Sequence, residues 1–299
     1  MNWRCILTIF LLSSSINYAI SQTFDKNYGI HVGNDTDVSL SIEQMSKIGV
    51  KWVRLWADIN WNEHKEHLPS FNRAIRYKKA GFNVILVLSS HSTDDKIPPK
   101  YREVKSFCDW IQTVPGMKES IDIWEICNEL NLKKYWKYDA GIYVNEVLRA
   151  AWDSFSVQGE MVLGGSFTPW QNDKVSTEIT EEYMSAGYLK YCNYAGFHPY
   201  TETVGDMLTQ IRRHVALFKG KPAIITEWNL KESVCRNDNL ARGILLDYLK
   251  KELDRQESIK VVCLYRLLES KKEGGWPGIL HQDYSPFEPF YTLLKKWNK

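Results

Sequence analysis

The stretch NVILVLS at residues 83–89 decides the fold. It is a nearly continuous Val/Ile/Leu run, as expected of a strand covered on both faces, and such strands belong to parallel sheets wrapped by helices. Its flanks agree, because residues 71–80 before it and 103–113 after it read as amphipathic helices, with Gly81 where the first should stop. Seven more runs repeat the pattern. They are YGIHVG (28–33), WVRLW (52–56), IDIWEIC (121–127), MVLGGSF (161–167), YAGFHP (194–199), PAIITEW (222–228) and KVVCLYR (260–266). The remaining helix-like stretches are 41–47, 140–154, 177–191, 204–218, 240–252 and 287–297, and Gly49 and Gly220 mark two further stops.

Eight βα units in succession predict a parallel sheet, and eight is the number that closes one into a (β/α)8 TIM barrel. No Gly-rich phosphate loop follows the first strand, so a doubly wound sheet fits less well. Neither a fixed-period repeat nor a low-complexity linker interrupts the series, and residues 22–299 read as a single domain. In such barrels the chemistry sits at the C-terminal ends of the strands.

Residues 1–21 read as a secretory signal peptide, with Arg4, an apolar run from Cys5 to Leu12, and Ala19 and Ser21 before the cleavage point. The expectation is a secreted or periplasmic protein with no membrane insertion after signal cleavage. The balance of 38 Lys+Arg against 36 Asp+Glu, a net charge of +2, excludes an electrostatic nucleic-acid binder. Five cysteines remain after the signal, with no CxxC pair, so buried inert thiols are expected. Asn34-Asp35-Thr36 is a glycosylation acceptor pattern in a eukaryotic host.

The strand ends collect the polar candidates: Arg54 and Trp56 after strand two, His91 after strand three, Asn128 and Glu129 after strand four. Strand six adds His198 and Tyr200, strand seven Glu227 and Trp228, and strand eight Tyr265 and Arg266. Two carboxylates from strands four and seven face each other across a barrel mouth. Glycoside cleavage needs that arrangement, with one acid to protonate the leaving oxygen and one carboxylate to attack the anomeric carbon or activate water.

These segments carry a resemblance. IDIWEICNEL is similar to the fourth-strand motif of glycoside hydrolase clan A, in which Asn-Glu ends the strand. PAIITEW resembles that clan's seventh-strand nucleophile segment, WVRLW its second-strand Arg, and GFHPY its sixth-strand His and Tyr. His91 matches a third-strand His, and GILHQDYSPFEPFYTLLKKW resembles the closing segment of such barrels. Among the clan's families the chain looks most like families 39 and 5. The resemblance implies a retaining hydrolase of β-linked glycosides, working through a covalent glycosyl-enzyme without a cofactor or metal. By position it makes Glu129 the acid/base and Glu227 the nucleophile. Asn128 would hold the sugar 2-hydroxyl, Arg54 and Tyr200 would keep Glu227 ionised and oriented, and His91 and His198 would line the pocket. An adjacent Arg lowers a carboxylate pKa, in keeping with that role for Arg54.

One position departs from the pattern. Many clan members end strand eight with a Trp under the sugar, whereas this chain has Tyr265, so Tyr265, Trp228 or Trp276 would supply the platform. Arg266 suits either an anionic sugar or an ion pair. Trp61, Trp136 and Trp170 also lie near βα loops, where aromatic faces stack on sugars. The Glu63-His64-Lys65-Glu66-His67 cluster invites a metal reading but lacks the HExxH spacing and reads as a polar loop. An oligo- or polysaccharide is the expected partner, and short loops after strands one, five and six favour an open, endo-acting cleft. Two alternatives stand beside hydrolysis by paired carboxylates: a non-catalytic carbohydrate-binding barrel and a metal-dependent barrel hydrolase.

Overall fold

The computed structural model describes residues 27–64, 69–90, 97–169, 173–201, 203–230, 238–270 and 277–299. The expected signal segment, His91, Trp170, Cys235, Trp276 and the Lys65–His67 part of the polar cluster lie outside the described residues.

The chain folds as a (β/α)8 barrel. Its strands are β1 (Asn27–His31), β2 (Trp52–Asp58), β3 (Asn83–Ser89), β4 (Ile123–Ile126), β5 (Met161–Gly164), β6 (Ala195–Phe197), β7 (Ala223–Trp228) and β8 (Ile259–Tyr265). All pairings are parallel, in the order β5-β4-β3-β2-β1-β8-β7-β6. The helices are α1 (Val38–Ile48), α2 (Pro69–Lys79), α3 (Tyr101–Ile111), α5 (Asp173–Ala186), α6 (Val204–Leu217), α7 (Asn239–Asp254) and α8 (Phe290–Trp297). Between α3 and α5, α4 is continuous from Ala140–Ile142 through a widened π-helical Tyr143–Leu148 to Arg149–Phe155. Gly49, Gly81 and Gly220 end their helices with φ of 85°, 90° and 84°. The stretch 177–191 divides because Gly187 turns left-handed at φ 98° and starts a separate turn, Tyr188–Lys190.

Alternation along each strand sorts the residues between barrel and helix layer. Ile85, Ile123, Leu163, Ile224, Val261 and Cys263 fill the barrel floor as a dry plug. Trp124 faces outward and stacks on Phe155 of α4, ring centroids 4.6 Å apart. Cys108, Cys127, Cys192 and Cys263 are buried free thiols.

The barrel closes between β5 and β6 through isolated bridges, Leu163 to Tyr194 and Phe167 to Phe197, rather than a full ladder. Tyr188 fills this seam. Its hydroxyl donates to the Gly165 carbonyl (3.1 Å) and accepts from the Gly196 N–H (3.3 Å). The glycines of MVLGGSF make room: a Cβ on Gly164 would lie 2.4 Å from the Tyr188 ring, and one on Gly165 2.6 Å from the Ile126 carbonyl oxygen. Tyr143 of α4 supports the same corner, donating to Ile126 O (2.7 Å) and accepting from Gly165 N (2.9 Å). Among the described residues no helix is long and apolar enough to cross a membrane.

Candidate active site

Above the apolar plug the barrel interior turns ionic, and Arg54 is its centre. In β2 it points inward between Trp52 and Trp56 and is fully buried. A guanidinium has five N–H donors in a fixed plane, and each has an acceptor here. Nε donates to Glu125 Oε2 (2.6 Å), and Nη2 donates to Glu125 Oε1 (2.9 Å) and Asn128 Oδ1 (2.8 Å). Nη1 donates to Glu227 Oε1 at 2.6 Å and faces His31 Nδ1 at 3.2 Å. His31 therefore accepts through Nδ1 as a neutral ring. Burial, with Arg54 beside it, pushes its pKa down to about 3.

Glu227 reaches the cleft because β7 is irregular. Its register with β8 shifts between Ile225 and Trp228, and such a bulge re-aims side chains. Thr226 and Glu227 both turn inward, while Trp228 faces out, its Nε1 donating to Met207 Sδ at 3.2 Å and its ring 6.2 Å from Trp297. Tyr200 donates to Glu227 Oε2 at 3.1 Å. Burial alone would raise the Glu227 pKa, but the Arg54 guanidinium and its hydrogen bond outweigh it and hold it well below the usual carboxylate range. The group is an anion at any working pH.

Glu129 stands just past β4, where the backbone leaves the ladder with positive φ at Cys127 (66°) and Glu129 (35°). That turn ends β4 at Ile126, short of the expected 127, and swings the Glu129 carboxyl over the mouth. His198 Nδ1 lies 3.0 Å from Glu129 Oε1, and Lys134 Nζ lies 3.9 Å from Oε2. Carboxylate oxygens of Glu129 and Glu227 approach within 4.8 Å of each other. Carboxyl groups about 5–5.5 Å apart are the spacing of glycosidases that attack directly, and about 6.5–9.5 Å leaves room for a water between them.

Both lie in a cleft of about 570 Å³. One wall is aromatic, with Trp56 and Tyr135 tilted at 5.8 Å. Tyr265 also lines the cleft, 5.2 Å from the His31 ring and 6.4 Å from Tyr200. At the rim Arg266 Nη2 donates to both oxygens of Asp35, at 3.0 and 3.1 Å. Gly33 permits that pair, since a Cβ there would stand 2.5 Å from Asp35 Oδ1 and 2.9 Å from Arg266 Nη2. Asp58 lines the same cleft and accepts from Trp56 Nε1 at 2.7 Å.

No protein-family model matches the chain, and no curated protein matches it either. Solved structures do resemble it. A Bacteroides uniformis β-glucuronidase superposes with a TM-score of 0.65 at 14% identity, over 91% of this chain and 35% of that one. A Dictyoglomus thermophilum β-D-glucuronidase gives 0.63 at 13% identity, over 92% and 50%. A Ruminococcus gnavus β-glucuronidase bound to uronic deoxynojirimycin gives 0.60 at 13% identity, over 91% and 50%. The likeness is one of fold. The chain spans about a third to a half of the length of these neighbours.

Of the residues expected in the site, Arg54, Asn128, Glu129, His198, Tyr200, Glu227 and Tyr265 come together. Trp228 does not, and its removal to the helix layer corrects its reading as a sugar platform. His91 and Trp276 lie outside the described residues. Trp61 and Trp136 are buried against Phe107 and Tyr143. The residues not foreseen are Glu125, Ser166, Thr226, Asp35, Asp58 and Tyr135. Glu125 left a signal, being a lone acid on the inward alternation of an apolar strand. Among the described residues one set of side chains could surround a cation: Glu129, His198 and Glu227, with atoms within 4.8 Å of one another. Arg54 already neutralises Glu227, and both His198 nitrogens are engaged by Glu129 and Thr226.

Proposed function

We propose that the protein is a retaining glycoside hydrolase of β-linked oligo- or polysaccharides. The observation that carries this reading is the approach of Glu129 and Glu227 to within 4.8 Å, with Arg54 holding the second as an anion. Glu227 attacks the anomeric carbon while the glycosidic C–O bond breaks and its oxygen takes the proton of Glu129. Water then gives a proton to Glu129 and its oxygen to the anomeric carbon, releasing Glu227. Arg54 and Tyr200 orient the nucleophile, and Trp56, Tyr135 and Tyr265 offer ring faces to the sugar. The strand-end motifs favour families 39 and 5 within clan A, and residues 1–21 favour export.

The neighbours of known structure are named as β-glucuronidases, which raises a uronic acid as substrate. The charge of this cleft favours a neutral sugar instead. Arg266 is already paired by Asp35, Lys134 stands beside Glu129, and Asp58 adds a further acid to the lining.

Reducing ends released from a panel of β-glycans and aryl β-glycosides, with the product anomer fixed by NMR, test the reading. Retention of the β-anomer is expected, and an inverted product removes Glu227 as nucleophile. Glu227→Ala should abolish turnover and be rescued by azide as the inverted glycosyl azide. Binding of a glycan with no hydrolysis in the wild type would leave a carbohydrate-binding barrel.

A further inference from the structure

The two carboxylates of the cleft are also joined through the protein wall. His198 Nδ1 lies 3.0 Å from Glu129 Oε1, and its Nε2 lies 2.8 Å from Thr226 Oγ1. Thr226 Oγ1 is 2.6 Å from Ser166 Oγ, which donates to Glu125 Oε1 at 2.8 Å. Arg54 then connects Glu125 to Glu227. His198, Thr226, Ser166 and Glu125 are all fully buried, so no bulk water intervenes along this line.

Proton counting gives the chain a direction. The Glu125 carboxylate, bound by two guanidinium N–H groups, only accepts, so Ser166 must donate to it. A serine hydroxyl has one proton. Ser166 therefore accepts from Thr226, and Thr226, its own proton spent, accepts from His198. That places a proton on Nε2, and in the neutral ring it leaves a lone pair on Nδ1, facing Glu129. Two lone pairs do not face each other at 3.0 Å, so a proton lies between them, and Glu129 supplies it. We infer that Ser166 and Thr226 are positioning residues that fix His198 as the Nε2–H tautomer, so that Glu129 rests as the protonated acid.

The groups facing His198 are consistent with this. Glu227 Oε2 lies 3.7 Å from Nδ1. The Tyr200 ring lies 5.8 Å away and sends its own proton to Glu227. His31 and His214 are also within electrostatic reach of His198. Once the Glu129 proton has gone to the leaving oxygen, a bare carboxylate faces the Nδ1 lone pair and draws the proton of the incoming water. The use of the device rests on the hydrolase reading, but its test does not.

The full chain labelled with 15N-histidine, with the His198 signals assigned by their loss in His198→Gln, should show a protonated Nε2 and a bare Nδ1 near neutral pH. Thr226→Val removes the acceptor of Nε2, and the proton should move to Nδ1. Turnover of glycosides with poor leaving groups should then fall roughly 10²-fold, against less than about threefold for activated aryl glycosides. Thr226→Ser should restore both readouts. A wild-type His198 protonated at Nδ1 overturns the inference and leaves the two-carboxylate reading standing. So does a Thr226→Val variant that keeps both the tautomer and the leaving-group dependence. If no glycoside is turned over, the hydrolase reading falls, and the nitrogen signals alone still decide the tautomer.

Discussion

Arg54 has no spare valence: Glu125, Glu227, Asn128 and His31 use its five protons. Replacing it with Met leaves two buried carboxylates without their counter-charge, and removing one partner of a buried pair costs about 3–5 kcal/mol. Urea unfolding of Arg54→Met should show a loss of that size, together with loss of turnover. The same network sets a pH dependence. Glu227 falls from an ordinary 4.5 to about 2, so the stabilisation from its pairing is complete above pH 4.5 and lost as pH falls towards 2. The acid limb of wild-type kcat/KM at pH 3–5 should therefore not report Glu227, whereas Arg54→Lys, which loses part of that hydrogen bonding, should raise a Glu227 limb towards this window, and an unmoved limb would contradict the assignment. At this scale the site was legible wherever a residue stood at a strand end. Glu125 escaped, despite its place on the inward alternation of an apolar strand, because its partner is 71 residues away. Asp35 was read only as the middle of a glycosylation pattern, and nothing local says that it meets Arg266 across the rim.

Each element is shaped by a few close approaches. The hydrophobic runs and the stopping glycines foretold all eight strands and the places of the helices, since covered strands and amphipathic helices leave those periods in any sequence. Departures from regularity left no comparable trace. The shift in β7 is set by pairing with β8, and reading Trp228 as a strand-end platform missed that it packs outward against the helix layer. The widened turn of α4 likewise depends on where Tyr143 must reach. The β5–β6 corner is testable. Gly165→Ala forces a Cβ to within 2.6 Å of the Ile126 carbonyl and should cost about 1–3 kcal/mol in urea unfolding. Kinetics should worsen with it, because Leu130 N donates to Ser166 O at 2.9 Å and the Glu129 turn leans on that segment. Tyr188→Phe removes both hydroxyl bonds across the seam and should cost about 1–2 kcal/mol.

Over the whole molecule, two buried histidines set the acid response of the fold. Burial, with Arg54 at one of them, pushes His31 down to about 3, and burial pushes His214 down to about 4, both from 6.5. Each depressed value means stability present above pH 6.5 and lost as pH falls towards the folded value. Scanning calorimetry should find Tm falling between pH 7 and pH 4. His214→Phe, at a ring stacked 4.8 Å from Phe197, should flatten part of that slope, and an unchanged slope would assign the response elsewhere. Charge also governs selectivity at this scale. Aryl β-glucosides should be cleaved at least about tenfold better than matched glucuronides, a difference of about 1.4 kcal/mol, and Asp35→Asn should narrow the gap by removing the anion beside Arg266.

The sparsely bonded corner between β5 and β6 has a practical consequence. A chain divided between Pro169 and Asp173 places Arg54, Glu125 and Glu129 on one piece and His198 and Glu227 on the other. Neither piece holds both Glu129 and Glu227, so on the proposed hydrolase reading, hydrolysis by the co-expressed halves would report their reunion against a silent background. The barrel thus carries within it the two parts of a complementation reporter.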